Sequence, residues 1–167
     1  MTKWSDDHRF ERKSMPLAIN WLEGKLNLDE VEESTPTQQK EEDIDLWVKC
    51  NNKTKSVEVK LRRKEYKDIL LETISNITKK TPGWLYKSNA DYLAYLFCID
   101  GKITKGYVGD MKTISYWYQG EGIYKGYPIK YGNTAIGYKT QNRAVPENHI
   151  PFEAWIYHPQ YGLLRGI

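Results

Sequence analysis

The feature that most constrains the fold of this chain is a pair of segments, 42–48 and 56–63, joined by a short polar turn. Alternate side chains share a face in an extended strand, so Glu58 and Lys60 point one way while the apolar residues between them point the other. The residues between the two segments have the composition of a tight turn. The pattern predicts an antiparallel hairpin that brings Asp45 alongside Glu58.

Two carboxylates and a lysine on one such hairpin suit metal-assisted cleavage of a phosphodiester. That reaction needs a nucleophile at neutral pH and stabilisation of negative charge, and Mg²⁺ on oxygen ligands supplies both. Lys60 could orient the attacking water, act as its base if its pKa is lowered, or neutralise developing charge. The sequence leaves these roles open. It also leaves open a solvated strand face, because 28% of the residues are charged.

Asp45, Glu58 and Lys60 resemble the motif of the PD-(D/E)xK nuclease superfamily, with Ile44 in place of the proline of the family's name. The resemblance implies an α/β, restriction-endonuclease-like fold, with a mixed β-sheet of about five strands flanked by helices. It also implies Mg²⁺, or Mn²⁺ as a substitute, bound by Asp45, Glu58 and the backbone carbonyl of Val59. Lys60 would then lie near the attacking water or the scissile phosphate.

Three further acids are second-tier candidates for the same site. Asp43 competes with Asp45 for the first acidic role. Glu72 is the single carboxylate within a predicted apolar strand at 68–76, where burial is costly unless the charge is paired or metal-bound. Nucleases of this superfamily often contribute a glutamate from the first helix. Glu11 and Glu23 are both available here, and Glu11 is favoured because Glu23 precedes the helix stop at Gly24, although a solvated helix face is the simpler interpretation of each.

The chain of 167 residues is predicted to form one domain. Residues 1–26 read as a helical segment that Pro16 either splits or bends, and 27–42 as an acidic polar loop. Residues 43–110 form the catalytic sheet core, which includes a buried central strand at 90–99 and a return strand at 103–108. Residues 111–167 form a Tyr- and Gly-rich C-terminal layer, either packed over the sheet or open to a partner.

The formal charge of +3 arises from 25 basic and 22 acidic residues, so any surface for a polyanion must be local. Basic residues follow the hairpin and recur around a Pro-Gly turn and in a late polar segment. Trp84 is expected either in the core or against nucleic acid. The candidate nucleic-acid-binding residues are Arg62, Arg63, Lys64, Lys79, Lys80, Trp84, Lys87, Lys139 and Arg143.

DNA is the expected partner, with no organic cofactor and no membrane. The aromatic C-terminal half could support a homodimer. Cys50 and Cys98 lie far apart in sequence without a metal-ligand spacing, which favours reduced thiols and a cytoplasmic location, or the host cytoplasm for a viral protein. No segment reads as a signal peptide or membrane span.

The resemblance and the small size together imply a structure-selective nuclease, similar to Holliday junction resolvases or phage nucleases. A restriction-type endonuclease is the alternative within the enzyme class. From a different class, the chain could be a nucleic-acid-binding or assembly subunit that keeps the fold without cleaving.

Overall fold

The computed structural model describes residues 3–133 and 137–167, which form a mixed α/β fold with two sheets. Four α-helices accompany them: α1 (Lys3–Leu26), α2 (Pro36–Glu41), α3 (Trp84–Lys87) and α4 (Met111–Gly120). The large sheet has the order β1 (Glu30–Glu33), β2 (Leu46–Cys50), β3 (Lys53–Arg62), β6 (Tyr92–Ile99), β7 (Lys102–Asp110), β10 (Trp155–His158), β11 (Gly162–Leu163). The small sheet has the order β5 (Thr81–Pro82), β4 (Asp68–Asn76), β9 (Lys139–Pro146), β8 (Ile129–Asn133).

The predicted hairpin is confirmed as β2 and β3, which pair antiparallel. Asn51 and Asn52 form the two-residue turn with φ values of 50° and 62°. Positive φ at both central positions is the condition for the turn that matches the natural twist of a hairpin, and Asn tolerates it well. On its other side β3 pairs in parallel with β6, which sets Lys60 opposite Tyr95. The hairpin therefore lies well inside the large sheet rather than at its edge.

The two faces of β3 belong to different layers. Val57 and Val59 are buried against α1, where Leu22 is fully enclosed. Tyr95 is buried on the opposite face, in the cluster that also holds Leu71 of the small sheet. The alternation of β3 thus directs its valines into the α1 layer and its charged residues toward the small sheet. α1 is one helix with Pro16 inside it, rather than two helices.

The prediction that the acidic segment 27–42 is a loop is wrong, because the segment contains β1 and α2. β1 extends the sheet by pairing with β2, while its glutamates face water. At α2, Thr35 and Gln38 form a reciprocal capping box, and Pro36 occupies the start of the helix. The composition of the segment misled the prediction for two reasons. An edge strand can carry exposed charged residues, and the short helix is marked by capping residues rather than by its overall composition.

The prediction of a single sheet of about five strands is wrong. The strand at 68–76 is present as β4, but it pairs with β5 and β9 in the small sheet and does not lie next to β3. The Tyr- and Gly-rich region supplies β8, β9 and α4 rather than only a loop layer. Which sheet β4 joins depends on pairing between residues that are distant in sequence, such as Glu72 and Asn142. The residues around each of them do not indicate this pairing.

The buried strand predicted at 90–99 is confirmed as β6, and the return strand is β7. Asp100 and Gly101 make the turn between them with positive φ. Cys50 and Cys98 are buried free thiols. None of the helices in the described part of the chain has both the length and the apolar character needed to cross a bilayer.

Candidate active site

Asp45 lies immediately before β2 and is fastened to β3 by two hydrogen bonds. Its backbone N–H donates to the carbonyl of Val57 at 2.9 Å. Its carboxylate oxygen Oδ2 accepts the backbone N–H of Val59 at 2.7 Å. This double attachment fixes the acid beside the middle of β3, where Glu58 lies.

Glu58 and Lys60 share one face of β3, as the alternation predicts, and their side chains form an ion pair. The Glu58 side chain is only 4% exposed, whereas that of Lys60 is 33% exposed. The Lys60 ammonium also lies 5.8 Å from the ring centroid of Trp84. The structure therefore brings Asp45, Glu58 and Lys60 to one place.

A cavity of about 360 Å³ opens at this place. Its walls come from α1, β3 and β6 on one side and from β4, β9 and α3 on the other. The lining residues are Glu11, Met15, Asp45, Val59, Lys60, Leu61, Arg62, Leu70, Glu72, Trp84, Tyr95 and Asn142. The cavity lies between the two sheets, so neither sheet alone forms it.

Glu72 reaches this cavity from β4, not from a strand adjacent to β3. Its Oε1 accepts the backbone N–H of Trp84 at 3.3 Å, which ties the first residue of α3 to β4. Gly83 allows this close approach, since a Cβ there would lie 2.2 Å from the backbone oxygen of Glu72. A side chain at position 83 would push apart the segments that hold Glu72 and Trp84.

The other two second-tier acids also lie near the site. Glu11 lines the cavity from α1, where its side chain remains exposed at the mouth. Asp43 does not line the cavity. Its Oδ2 is 3.4 Å from the ammonium of Lys87, and its backbone has a positive φ of 51°. Of the two competing aspartates, Asp45 is the one that lines the cavity.

Burial has the largest effect on the pKa of Glu58 and of the three acids that line the cavity, Asp45, Glu72 and Glu11. It raises the pKa of Glu58 to about 7 against the opposing effect of Lys60, and Asp45 raises it further. Burial likewise raises the pKa of Asp45, Glu72 and Glu11, and Lys60 opposes the shift in each case. A single ammonium is thus the common counter-charge for four partly desolvated carboxylates.

For the pKa of Lys60, the neighbouring charges outweigh the effect of burial. Burial acts to lower its pKa, but Glu58, followed by Asp45 and Glu72, raises it above the ordinary value of a lysine. The ammonium form is consequently favoured at neutral pH. In the metal-free protein this arrangement supports charge neutralisation by Lys60 and argues against its acting as a base.

Without divalent cations, Glu58 is expected to make the protein less stable as the pH rises from about 5 to about 8. The folded state holds a proton on Glu58 up to a pKa of about 7, whereas the unfolded chain releases it near the ordinary glutamate value. Ionisation therefore costs stability in this window, on the order of 1–3 kcal/mol. The free energy of unfolding in EDTA, compared between wild type and Glu58→Gln across this range, measures the effect. A difference independent of pH would contradict it.

The donor set fits a hard divalent cation. Asp45, immediately before β2, and Glu58, on β3, would supply carboxylate oxygens, and a bound cation would offset both the burial of Glu58 and the repulsion from Asp45 that raise its pKa. Within residues 3–133 and 137–167 no three His, Cys, Asp or Glu side chains are grouped closely enough to bind a metal by themselves. The predicted set has two such side chains, with the Val59 carbonyl and waters as further ligands.

The candidate nucleic-acid-binding residues divide into groups. Arg62 and Trp84 line the cavity, although Trp84 is only 4% exposed, and Arg63 and Lys64 continue outward from Arg62. Lys87 lies against Asp43. The remaining four candidates do not line the cavity. Lys79 and Lys80 lie in an exposed turn, and Lys139 begins β9. Arg143 donates a hydrogen bond to the carbonyl of Tyr127 at 2.9 Å.

Two polar residues of the cavity, Tyr95 and Asn142, are not indicated by the sequence pattern. The apolar strand that contains Tyr95 predicts a core position, but its buried hydroxyl accepts hydrogen bonds from Arg62 at 2.7 Å and from the Leu70 backbone at 3.1 Å. Asn142 lies next to Arg143, the predicted nucleic-acid-binding residue of this segment. Strand alternation could have distinguished them, since neighbours on β9 face opposite sides and only Asn142 lines the cavity.

Comparisons of this chain with protein-family models, with curated proteins and with solved structures found no match.

Proposed function

We propose that this protein is a divalent-metal-dependent DNA endonuclease that hydrolyses phosphodiester bonds in branched or otherwise non-duplex DNA. The observation that carries the proposal is the convergence of Asp45, Glu58 and Lys60 at a cavity lined by further acids. The active-site resemblance to PD-(D/E)xK nucleases supports the same reaction class.

A structural role alone does not readily explain the cluster. Glu58 is buried and Asp45 and Glu72 are half-buried around Lys60, and burial raises the pKa of all three. Carboxylates withdrawn from water cost stability unless their charges are fully compensated. Strongly perturbed acids in a cleft are a common mark of catalytic sites. The cost is understandable if the site exists to bind a cation and a phosphate.

Asp45 and Glu58, with the carbonyl of Val59, would hold Mg²⁺ or Mn²⁺. When bound, such an ion lowers the pKa of coordinated water and stabilises negative charge on phosphate oxygens. Asp45 is kept in position by the Val59 N–H, so its carboxylate does not need to be reoriented. The rigidity of this pairing suits a site that must hold a ligand in one geometry.

Lys60 would neutralise the charge that develops on the phosphate. Its ammonium is the favoured form and lies inside the cavity beside Glu58. With Glu58 serving as a metal ligand, the Lys60 ammonium would no longer be held in its ion pair and would be available to a phosphate oxygen. Arg62, held by the Tyr95 hydroxyl at 2.7 Å, would add a second cationic group next to it.

The test is cleavage of end-labelled duplex, single-stranded, flapped and four-way-junction DNA with Mg²⁺, Mn²⁺ or EDTA. We expect metal-dependent cutting by the wild type, strongest on a branched or single-stranded substrate, and no detectable cutting by Glu58→Ala. Glu32→Ala, which removes an exposed carboxylate on β1, is the matched control.

The outcome of this experiment decides between the enzyme and a non-catalytic subunit. Binding without any metal-dependent cleavage would overturn the nuclease and leave a nucleic-acid-binding role. Equal cleavage by wild type and Glu58→Ala would assign the activity to a contaminant or to another site.

A further inference from the structure

A second cavity of about 550 Å³, which we call the side groove, adjoins the active-site cavity. Its lining residues are Asp7, Phe10, Glu11, Leu61, Arg62, Arg63, Lys64 and Tyr66. The two cavities share Glu11, Leu61 and Arg62 as a common wall. The side groove therefore lies beside the active site. The N-terminal turns of α1 form one of its walls and the end of β3 forms the other.

Two arginine–aromatic stacks flank the side groove. The guanidinium carbon of Arg62 lies 4.9 Å from the ring centroid of Tyr66, and that of Arg63 lies 4.6 Å from the centroid of Phe10. Tyr66 is 41% exposed. Flat guanidinium and aromatic groups of this kind are the surfaces on which unstacked nucleobases pack.

Both arginines are fixed in place by other bonds. Arg63 donates to the carboxylate of Asp7 at 2.8 Å and to the carbonyl of Asp6 at 2.9 Å. Arg62 donates to the buried hydroxyl of Tyr95 at 2.7 Å. The planes of the two guanidinium groups are thus set before any ligand arrives, which lowers the entropy cost of stacking on them.

The charge of the side groove fits a single strand better than a duplex. Three cationic side chains line it together with two carboxylates, and one of those cations, Arg63, is already paired with Asp7. Binding of duplex DNA depends on neutralising many phosphates, which this balance does not offer. Stacking with a few phosphate contacts is the mode that remains. The volume of the side groove is also that of a binding site for a small ligand or for a few nucleotides of a single strand.

We infer that the side groove binds an unpaired segment of nucleic acid that leads to or from the active site, with its bases on Tyr66 and the stacked arginines. This inference rests on the proposed function, because it gives the substrate of the same site a single-stranded arm. A flap or the frayed end of a branched DNA has such an arm.

The test measures binding without cleavage, by fluorescence anisotropy in EDTA. The probes are a labelled oligo-dT and a labelled hairpin duplex of the same length. We expect the wild type to bind oligo-dT more tightly than the hairpin. Tyr66→Ala should weaken oligo-dT binding by about fivefold or more, in keeping with the loss of one base-stacking contact, while Tyr66→Phe keeps it.

Tyr161→Ala is the matched control, since it removes a 56% exposed tyrosine next to β11, the edge strand four places from β3 in the large sheet. Its affinity for oligo-dT should equal that of wild type. An unchanged affinity in Tyr66→Ala, or equal wild-type affinity for both probes, overturns the side groove as a single-strand site even if metal-dependent cleavage is found. Tyr66-sensitive binding in a protein that does not cleave overturns the nuclease and keeps the groove.

Discussion

Lys60→Ala is expected to lower the rate of metal-dependent DNA cleavage by at least about a hundredfold, a loss typical of removing one electrostatic stabiliser from an active site. Lys60 opposes the raised pKa of Glu58 and of the three acids that line the cavity, and it is the only lysine among the described residues of that lining. DNA affinity should change by less than about threefold, because one phosphate contact is a small part of the total. Initial cleavage rates and anisotropy in EDTA measure the two effects separately.

Lys60→Ala leaves Glu58 buried without its ion-pair partner, so a loss of cleavage must be distinguished from a loss of folding. Lys60→Met keeps most of the apolar stem and should show the same loss of cleavage. Lys49→Ala removes an exposed lysine from β2 and should cleave normally. Parallel losses of cleavage and binding in Lys60→Met would instead indicate a binding role for Lys60.

Mg²⁺ or Mn²⁺ is expected to raise the thermal unfolding midpoint by roughly 5–10 °C when its concentration is about a hundred times its dissociation constant. A ligand that binds only the folded state contributes about 2.7 kcal/mol under these conditions, and a domain of this size gains a few degrees per kcal/mol. Burial raises the pKa of both Asp45 and Glu58, and a cation held between them would offset that cost and the repulsion that Glu58 feels from Asp45. Differential scanning calorimetry against a series of metal concentrations measures the shift independently of any activity.

Asp45→Asn and Glu58→Gln should each remove most of that shift, because each neutralises one of the two predicted carboxylate ligands. Glu30→Gln, on the exposed edge strand β1, should keep it. The same shift in wild type and in both site variants would mean that the cation binds elsewhere, and the predicted ligand set would be abandoned.

The part of the site that depends on local pattern could be predicted from sequence. Alternation along β3 put Glu58 and Lys60 on one face, and the turn residues fixed the hairpin that brings Asp45 to them. Strand alternation and turn chemistry act over a few residues, so one sequence is enough to show them.

The rest of the site depends on which strands pair across long stretches of chain. Glu72 and Asn142 enter the cavity because β4 joins β9 in the small sheet, a pairing that no local pattern specifies. Tyr95 was read as a core residue, and it is buried, but its hydroxyl bridges Arg62 and β4 only because two sheets meet there. Hydrophobicity indicates that such a residue is buried and says nothing of what its polar atom contacts.

The acidic edge strand β1 gives the large sheet protection against self-association. Glu30, Glu32 and Glu33 are exposed along the outermost strand, whose outer backbone groups would otherwise be a template for another strand. Two copies that met at this edge would bring two rows of carboxylates together and repel one another. The segment that composition alone would assign to a loop thus limits how the chain can assemble, and any dimer would have to form through another surface.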